Sequence, residues 1–244
     1  MRKGMRAVAA AMALVLAGPS VPAGATATDG VASLVCSLLG PLAQLGVNCP
    51  LDGDGDGYTT DQGDCDDTDP AYNPAADDRP DLAFLDTDCD GIDGSAADAT
   101  FVATSGSDTA PGTMSEPKAT VVAAVASGAT AVYVSTGSYP GSVSATEGLG
   151  IFGGYDATDG WSRSAAHLPV IAGAPQAVLV EGADDVELQL LDLRGSATPA
   201  SRSAYGVRAV DSSGLRIVGS RVSSGPGLDG ITGNPDSPGA AGSS

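Results

Sequence analysis

Asp52, Asp54 and Asp56, followed by Gly57, occupy positions 1, 3, 5 and 6 of a calcium loop of the EF-hand type. Alternate side chains turn inward in such a loop, and the glycine permits the bend that brings later ligands back. Tyr58 then offers its backbone carbonyl at position 7. The twelfth residue is Gly63, where an EF-hand carries a bidentate glutamate, so Asp61 or Asp64 must close the shell. Asp86, Asp88, Asp90 and Gly91 repeat the spacing, with Asp93 beyond, and "DCDDTDP" supplies Asp64, Asp66, Asp67 and Asp69 between the copies. Residues 52–98 hold sixteen aspartates, no glutamate and one base, Arg79. A solvated acidic linker would not favour aspartate over glutamate or place glycine at position 6 twice. Carboxylates this dense repel one another and stay unfolded without a counter-ion. The expected ion is calcium, because hard oxygen ligands without histidine or free thiols do not suit zinc or copper.

The rest of the chain must position and protect these groups. Its 244 residues allow one or two domains, and 34 glycines with 16 prolines imply many tight turns. Aromatic residues make up only 4%, which excludes a large aromatic core. A formal net charge of −19 argues against nucleic acid or an anionic membrane as partner. Residues 1–27 begin with Arg2, Lys3 and Arg6, continue with an apolar run from Ala7 to Ala17, and end in A-x-A patterns. This is the pattern of a cleaved secretory signal, and the apolar run is too short to span a bilayer. The protein is therefore expected outside the cell or on its surface, and not as a transmembrane protein.

Export gives meaning to an even set of cysteines, Cys36, Cys49, Cys65 and Cys89. Two disulfides are expected, with three connectivities open. The preferred pairing is Cys36–Cys49, closing a short loop in the linker 28–51, and Cys65–Cys89, closing a 25-residue acidic loop. Chain entropy gives the second roughly 3–4 kcal/mol.

The stretch "DGDGDGYTTDQGDCDDTDPAYNPAADD…DTDCDGID" resembles the metal-binding repeat named after the bacterial surface protein MopE. That pattern runs D-x-D-G-D-G-Y, D-C-D-D-x-D-P, a spacer, and D-x-D-C-D-G, and the match covers residues 52–93. The resemblance implies a disulfide between Cys65 and Cys89 and a bacterial extracellular setting. One departure falls in the spacer: the usual P-G-A-x-E is replaced by "NPAADDRPDLAFL", so Asp77 or Asp78 must stand in for the glutamate. The namesake's copper chemistry needs a modified tryptophan that residues 52–98 lack, and copper is not carried over.

Beyond residue 99, short β-rich runs alternate with glycine turns. "QAVLVEGADDVELQLLDL" (176–193) overlays "YGVRAVDSSGLRIVGSRV" (205–222) at an offset of 29 without a gap. Val178 falls on Val207, Leu188 on Ile217, Leu193 on Val222, and Asp185 on Gly214, a turn position. A repeat of this length built from short strands is the signature of a parallel β-solenoid. Residues 100–222 resemble the opening of pectin-lyase-like right-handed β-helices. The expected fold is thus mainly β, a right-handed β-helix over 99–222 preceded by a small disulfide-stapled calcium module. A β-sandwich is disfavoured by strands this short and glycine-bounded. Residues 116–127 are predicted as a capping helix, N-capped by Ser115. Residues 223–244 are expected to be a disordered Gly/Pro/Ser tail. Nothing after Val222 can cover the last strands, so the chain is expected to be a fragment or to associate end to end.

No catalytic residue is assigned. Arg208 and Arg216 alternate with apolar neighbours and point outward, and outward arginines on a solenoid are usually solvated. His167 reads as a loop residue. Trp161 reads as a loop anchor packed on a strand layer, and Tyr155 could share its surface as a sugar platform. The functional expectation is an extracellular calcium-binding protein whose β-helix binds or adheres, with polysaccharide or another surface protein as partner. The alternative is a polysaccharide-active, lyase-like enzyme, which a convergent arginine and acid on one exposed face would favour.

Overall fold

The computed structural model describes residues 52–230. The segments 1–51, with Cys36 and Cys49, and 231–244 lie outside the described residues. The architecture is mainly β. Sheet A joins β1 (Ala99–Val102), β2 (Ala131–Ser135), β5 (Gly150–Asp156), β9 (Glu187–Gln189) and β12 (Arg216–Val218). Sheet B joins β3 (Ser138–Pro140), β7 (Val170–Gly173), β10 (Asp192–Gly195) and β13 (Arg221–Ser224). Sheet C joins β4 (Val143–Ala145), β8 (Gln176–Glu181) and β11 (Tyr205–Val210). All these pairings are parallel, and from β2 onward the chain visits the sheets in the repeating order A, B, C. A short strand, β6 (Ser162–Arg163), pairs antiparallel with β5.

The offset of 29 read from sequence is the ladder register of the last strands. Val178 pairs with Val207, Leu188 with Ile217, and Leu193 with Val222. The turns repeat with it: Asp185 and Gly214 take φ of 54° and 70°, and Leu190 and Gly219 take 52° and 59°. Between the sheets, Val132, Val134, Ile151, Val178, Leu188, Leu191 and Leu193 form a continuous apolar interior. Alternation along each strand sends every second side chain there. In the last strands the equivalent residues, Ile217 and Val222, are exposed.

The helix is shorter than its sequence pattern. α1 spans Val121–Ala126, N-capped by Thr120, whose side chain accepts from Ala123 N. Ser115 is not the cap. Lys118 forms a parallel bridge with Val102 and donates its N–H to the Phe101 carbonyl, which holds the preceding residues extended. Pro117 also disfavours helical geometry in Glu116. Val121, Ala124 and Val125 face the core, while Val122 is exposed.

From β1 to β9, sheet A is largely buried on both faces. The ladder row Phe101, Tyr133, Phe152 points away from the apolar interior and forms a second cluster with Tyr155, Trp161 and Ile92. Trp161 packs edge-on against Phe101 at 4.7 Å, and its Nε1 donates to the Met114 carbonyl at 3.2 Å, so it is the anchor expected of it. Tyr155 is fully buried and donates its hydroxyl to the Asp93 carbonyl at 2.6 Å, so this pair presents no aromatic platform to solvent. The cover over this face is the aspartate-rich segment.

Candidate metal centre

Residues 52–98 contain little regular structure, only a 3-10 turn over Thr60–Gln62. Aspartate carboxylates replace it by accepting from backbone N–H groups two residues ahead. In the first loop Asp54 Oδ1 accepts from Asp56 N at 3.1 Å and Asp56 Oδ1 from Tyr58 N at 2.8 Å. In the second, Asp88 Oδ1 accepts from Asp90 N at 3.3 Å and Asp90 Oδ1 from Ile92 N at 3.2 Å. The backbones match as well. Gly57 and Gly91 both take φ of 102°, a left-handed geometry that glycine adopts without a Cβ penalty. The spacing seen in sequence is therefore a repeated local conformation.

These turns use the Oδ1 oxygens of the carboxylates. Asp52, Asp54 and Asp56 bring a carboxylate oxygen each to within 4.8 Å of one another. Asp56 Oδ2 is buried and accepts no hydrogen bond. Asp64, only 2% exposed, accepts from Asp66 N at 2.8 Å through Oδ1, while its Oδ2 and the nearby Thr59 Oγ1 are buried without partners. Buried carboxylate oxygens without partners are costly, and a bound cation satisfies them. An all-oxygen donor set is one that could hold a hard cation.

A second group joins Asp86 and Asp88 to Asp78, again with carboxylate oxygens within 4.8 Å. Asp86 accepts from Asp90 N at 3.0 Å and Gly91 N at 2.9 Å. Asp78 accepts from Gly94 N at 2.9 Å and Thr87 N at 3.3 Å. Burial, and then the charge of Asp90, push the Asp88 carboxyl up to about 6, with Asp78 and Asp86 adding to the effect. Burial likewise raises Asp78. Carboxylates that resist ionising together are those a divalent cation stabilises most.

Of the two spacer aspartates, it is Asp78 that joins the cluster. The spacer's departure was the only sequence signal for it. Asp90 and Asp93 lie outside this group. Asp90 Oδ2 accepts from Ala96 N at 2.6 Å. Asp93 accepts from Arg163 Nη1 at 2.7 Å and from Asp81 N at 3.2 Å. In the intervening stretch Asp66 takes the Thr68 hydroxyl at 2.6 Å and Asp69 takes Ala71 N at 3.1 Å. Asp67 accepts from Gly53 N at 3.0 Å, and a Cβ on Gly53 would lie 2.3 Å from the Asp67 carbonyl. Asp61 sits exposed in the 3-10 turn. Cys65 and Cys89 form a disulfide, with Cα atoms 5.7 Å apart, that ties the middle stretch to the second loop.

Sequence reasoning missed what holds this segment to the sheet. Arg163 and Asp93 form an ion pair whose side chains are 1% and 2% exposed. The same guanidinium donates to the Gly153 carbonyl at 3.0 Å, the Asp81 carbonyl at 2.7 Å and the side chain of Gln189, and lies 5.0 Å from the Tyr155 ring centroid. Gln189 Nε2 reaches the Pro80 carbonyl at 3.3 Å. Burial keeps the Asp93 carboxyl above its usual value despite the opposing pull of Arg163. No helix among the described residues is long and apolar enough to cross a membrane. No family model matches the chain, and neither a curated protein nor a solved structure matches it.

Proposed function

We propose that this is a secreted calcium-binding protein of the bacterial cell surface or its surroundings. In this reading residues 52–93 are a MopE-type repeat, and the parallel strands are coils of a right-handed, pectin-lyase-like β-helix with α1 over one end. The observation that carries the metal reading is the duplicated turn geometry around Asp54–Asp56 and Asp88–Asp90, with carboxylate clusters in both copies. The cyclic visiting of three parallel sheets at an offset of 29 supports the coil reading. A binding or adhesion scaffold follows, because coils of this kind expose long faces while their interior holds the fold.

The ion neutralises the clustered carboxylates and fixes the segment's shape, so folding there is coupled to calcium. Limited proteolysis tests this. Chelation by EDTA should open residues 52–98 to cleavage, beginning before Asp78, while residues 99–224 stay resistant. Equal resistance of the segment with and without calcium would contradict the proposal. A polysaccharide-active enzyme remains the second reading, because Arg79 and Arg216 converge on Glu187 at 2.6 and 3.6 Å. All three groups are engaged in an ion-pair cluster, which describes a binding arrangement without naming a proton-transfer group.

A further inference from the structure

An open groove of about 350 Å³ runs between residues 79–82 and the outer face of β9 and β12. This is within the lower range of small-ligand sites. Its charged wall follows from sheet register. Glu187 and Arg216 are ladder partners, so their side chains leave sheet A on the same face, and the chain preceding Pro80 brings Arg79 over them. Glu187 is nearly fully buried and accepts from Arg79 Nη2 at 2.6 Å, with Arg216 Nη1 3.6 Å from the same oxygen. Two guanidiniums thus share one carboxylate, and with Asp81 the groove's lining carries two positive and two negative groups. Their side chains are 62% and 67% exposed, so most of their N–H donors face the groove or solvent.

Asp81, the other acid on the wall, is committed to its own turn through Ala83 N at 2.6 Å and Phe84 N at 3.0 Å. Pro80, Leu82 and Val218 supply apolar surface, and Leu82 is half exposed. Against a chain carrying 30 acidic and 11 basic residues, this pairing of exposed guanidiniums over an apolar floor is a local exception.

We infer that the groove formed by Arg79, Arg216 and the Pro80–Leu82–Val218 floor binds a carboxylate carried on an uncharged, apolar body. Guanidiniums recognise carboxylates through paired N–H donors that lysine cannot reproduce. Glu187 holds Arg79 at the sheet and takes no part in the ligand contact. The inference does not depend on the identity of the metal at the aspartate clusters.

The test is a calorimetric or NMR titration in millimolar calcium chloride, with benzoate as the charged probe. Benzamide is its neutral counterpart, and acetate lacks the apolar body. Benzoate should bind saturably, and benzamide and acetate each at least tenfold more weakly. Arg216→Gln should weaken benzoate by about tenfold, Arg216→Lys by less, and Arg208→Gln, which removes an exposed arginine elsewhere, should leave it unchanged. Arg216 is 67% exposed and its ion-pair partner Glu187 keeps Arg79 when it is replaced, so its variants should fold, which matched melting curves will verify. The inference fails if benzoate does not bind, if benzamide binds equally well, or if the Arg208 and Arg216 variants weaken benzoate alike.

Discussion

Residues 52–98 and residues 99–224 hold their shape by opposite means. The β region buries Val, Ile and Leu between three sheets, and its stability follows the apolar area removed from water. The aspartate-rich segment contributes only Ile92, with Ala96 packed against it, to a buried apolar cluster. It substitutes carboxylate-capped turns, a disulfide and clustered carboxylates that could hold a cation. The two meet at Arg163, which is drawn from the β region and divides its donors between Gly153 and Gln189 there and Asp81 and Asp93 in the acidic segment. On the proposed calcium reading, order in the acidic segment depends on an ion while order in the β region beneath it does not.

Breaking the junction should have the largest effect. Arg163→Met leaves the Asp93 carboxylate buried and unpaired, at about 3–5 kcal/mol. Hydrogen exchange should show residues 79–94 released before the β strands unfold. Adding Asp93→Asn to this variant should recover part of the loss, and an additive result would mean the two side chains act independently.

A core truncation probes the other side of the comparison. Leu188→Ala, at a fully buried position, should cost about 2–5 kcal/mol in denaturant melts. That loss should be the same in calcium and in EDTA. Removing ligands reverses the dependence: Asp54→Ala with Asp88→Ala should abolish the stabilisation that calcium confers, about 2.7 kcal/mol at a free concentration 100 times the dissociation constant.

The β region was largely readable in sequence because its repeat is local and periodic. Val178 over Val207 and Asp185 over Gly214 needed only an overlay. The aspartate loops were readable for the same reason, since Asp54 and Asp88 announce themselves by spacing. What escaped were groups whose roles depend on distant partners. Nothing adjacent to Arg163 marks it for Asp93, 70 residues away in sequence, and nothing near Arg79 marks it for Glu187. The start of α1 was missed because Pro117 fits a first helical turn as well as it fits the extended strand edge it occupies. Asp78 was half readable, as one of two candidates for a missing glutamate.

Smaller effects sharpen the picture. Tyr155→Phe removes the hydroxyl that donates to the Asp93 carbonyl and should cost about 0.5–1.5 kcal/mol, felt at residues 79–94. Acidity should act in two directions. The Asp88 carboxyl titrates near 6 in the folded chain against a usual 3.8, so between those values the folded state holds more protons than the unfolded one. In metal-free protein the contribution of Asp88 to stability should therefore be larger at pH 4 than at pH 7, lost as pH rises through about 6, and Asp88→Asn should flatten that part of the profile. Calcium requires the ionised form, so its affinity should fall as pH drops below about 6.

The central claim is that the two aspartate clusters bind calcium. Calorimetric titration of the full chain at pH 7 addresses it most directly, because it counts ions as well as measuring heat. The account predicts saturable binding of at least two calcium ions per chain, lost when Asp54 and Asp88 are both replaced by alanine. A titration showing only the heat of dilution, or binding that survives the double replacement unchanged, would contradict it.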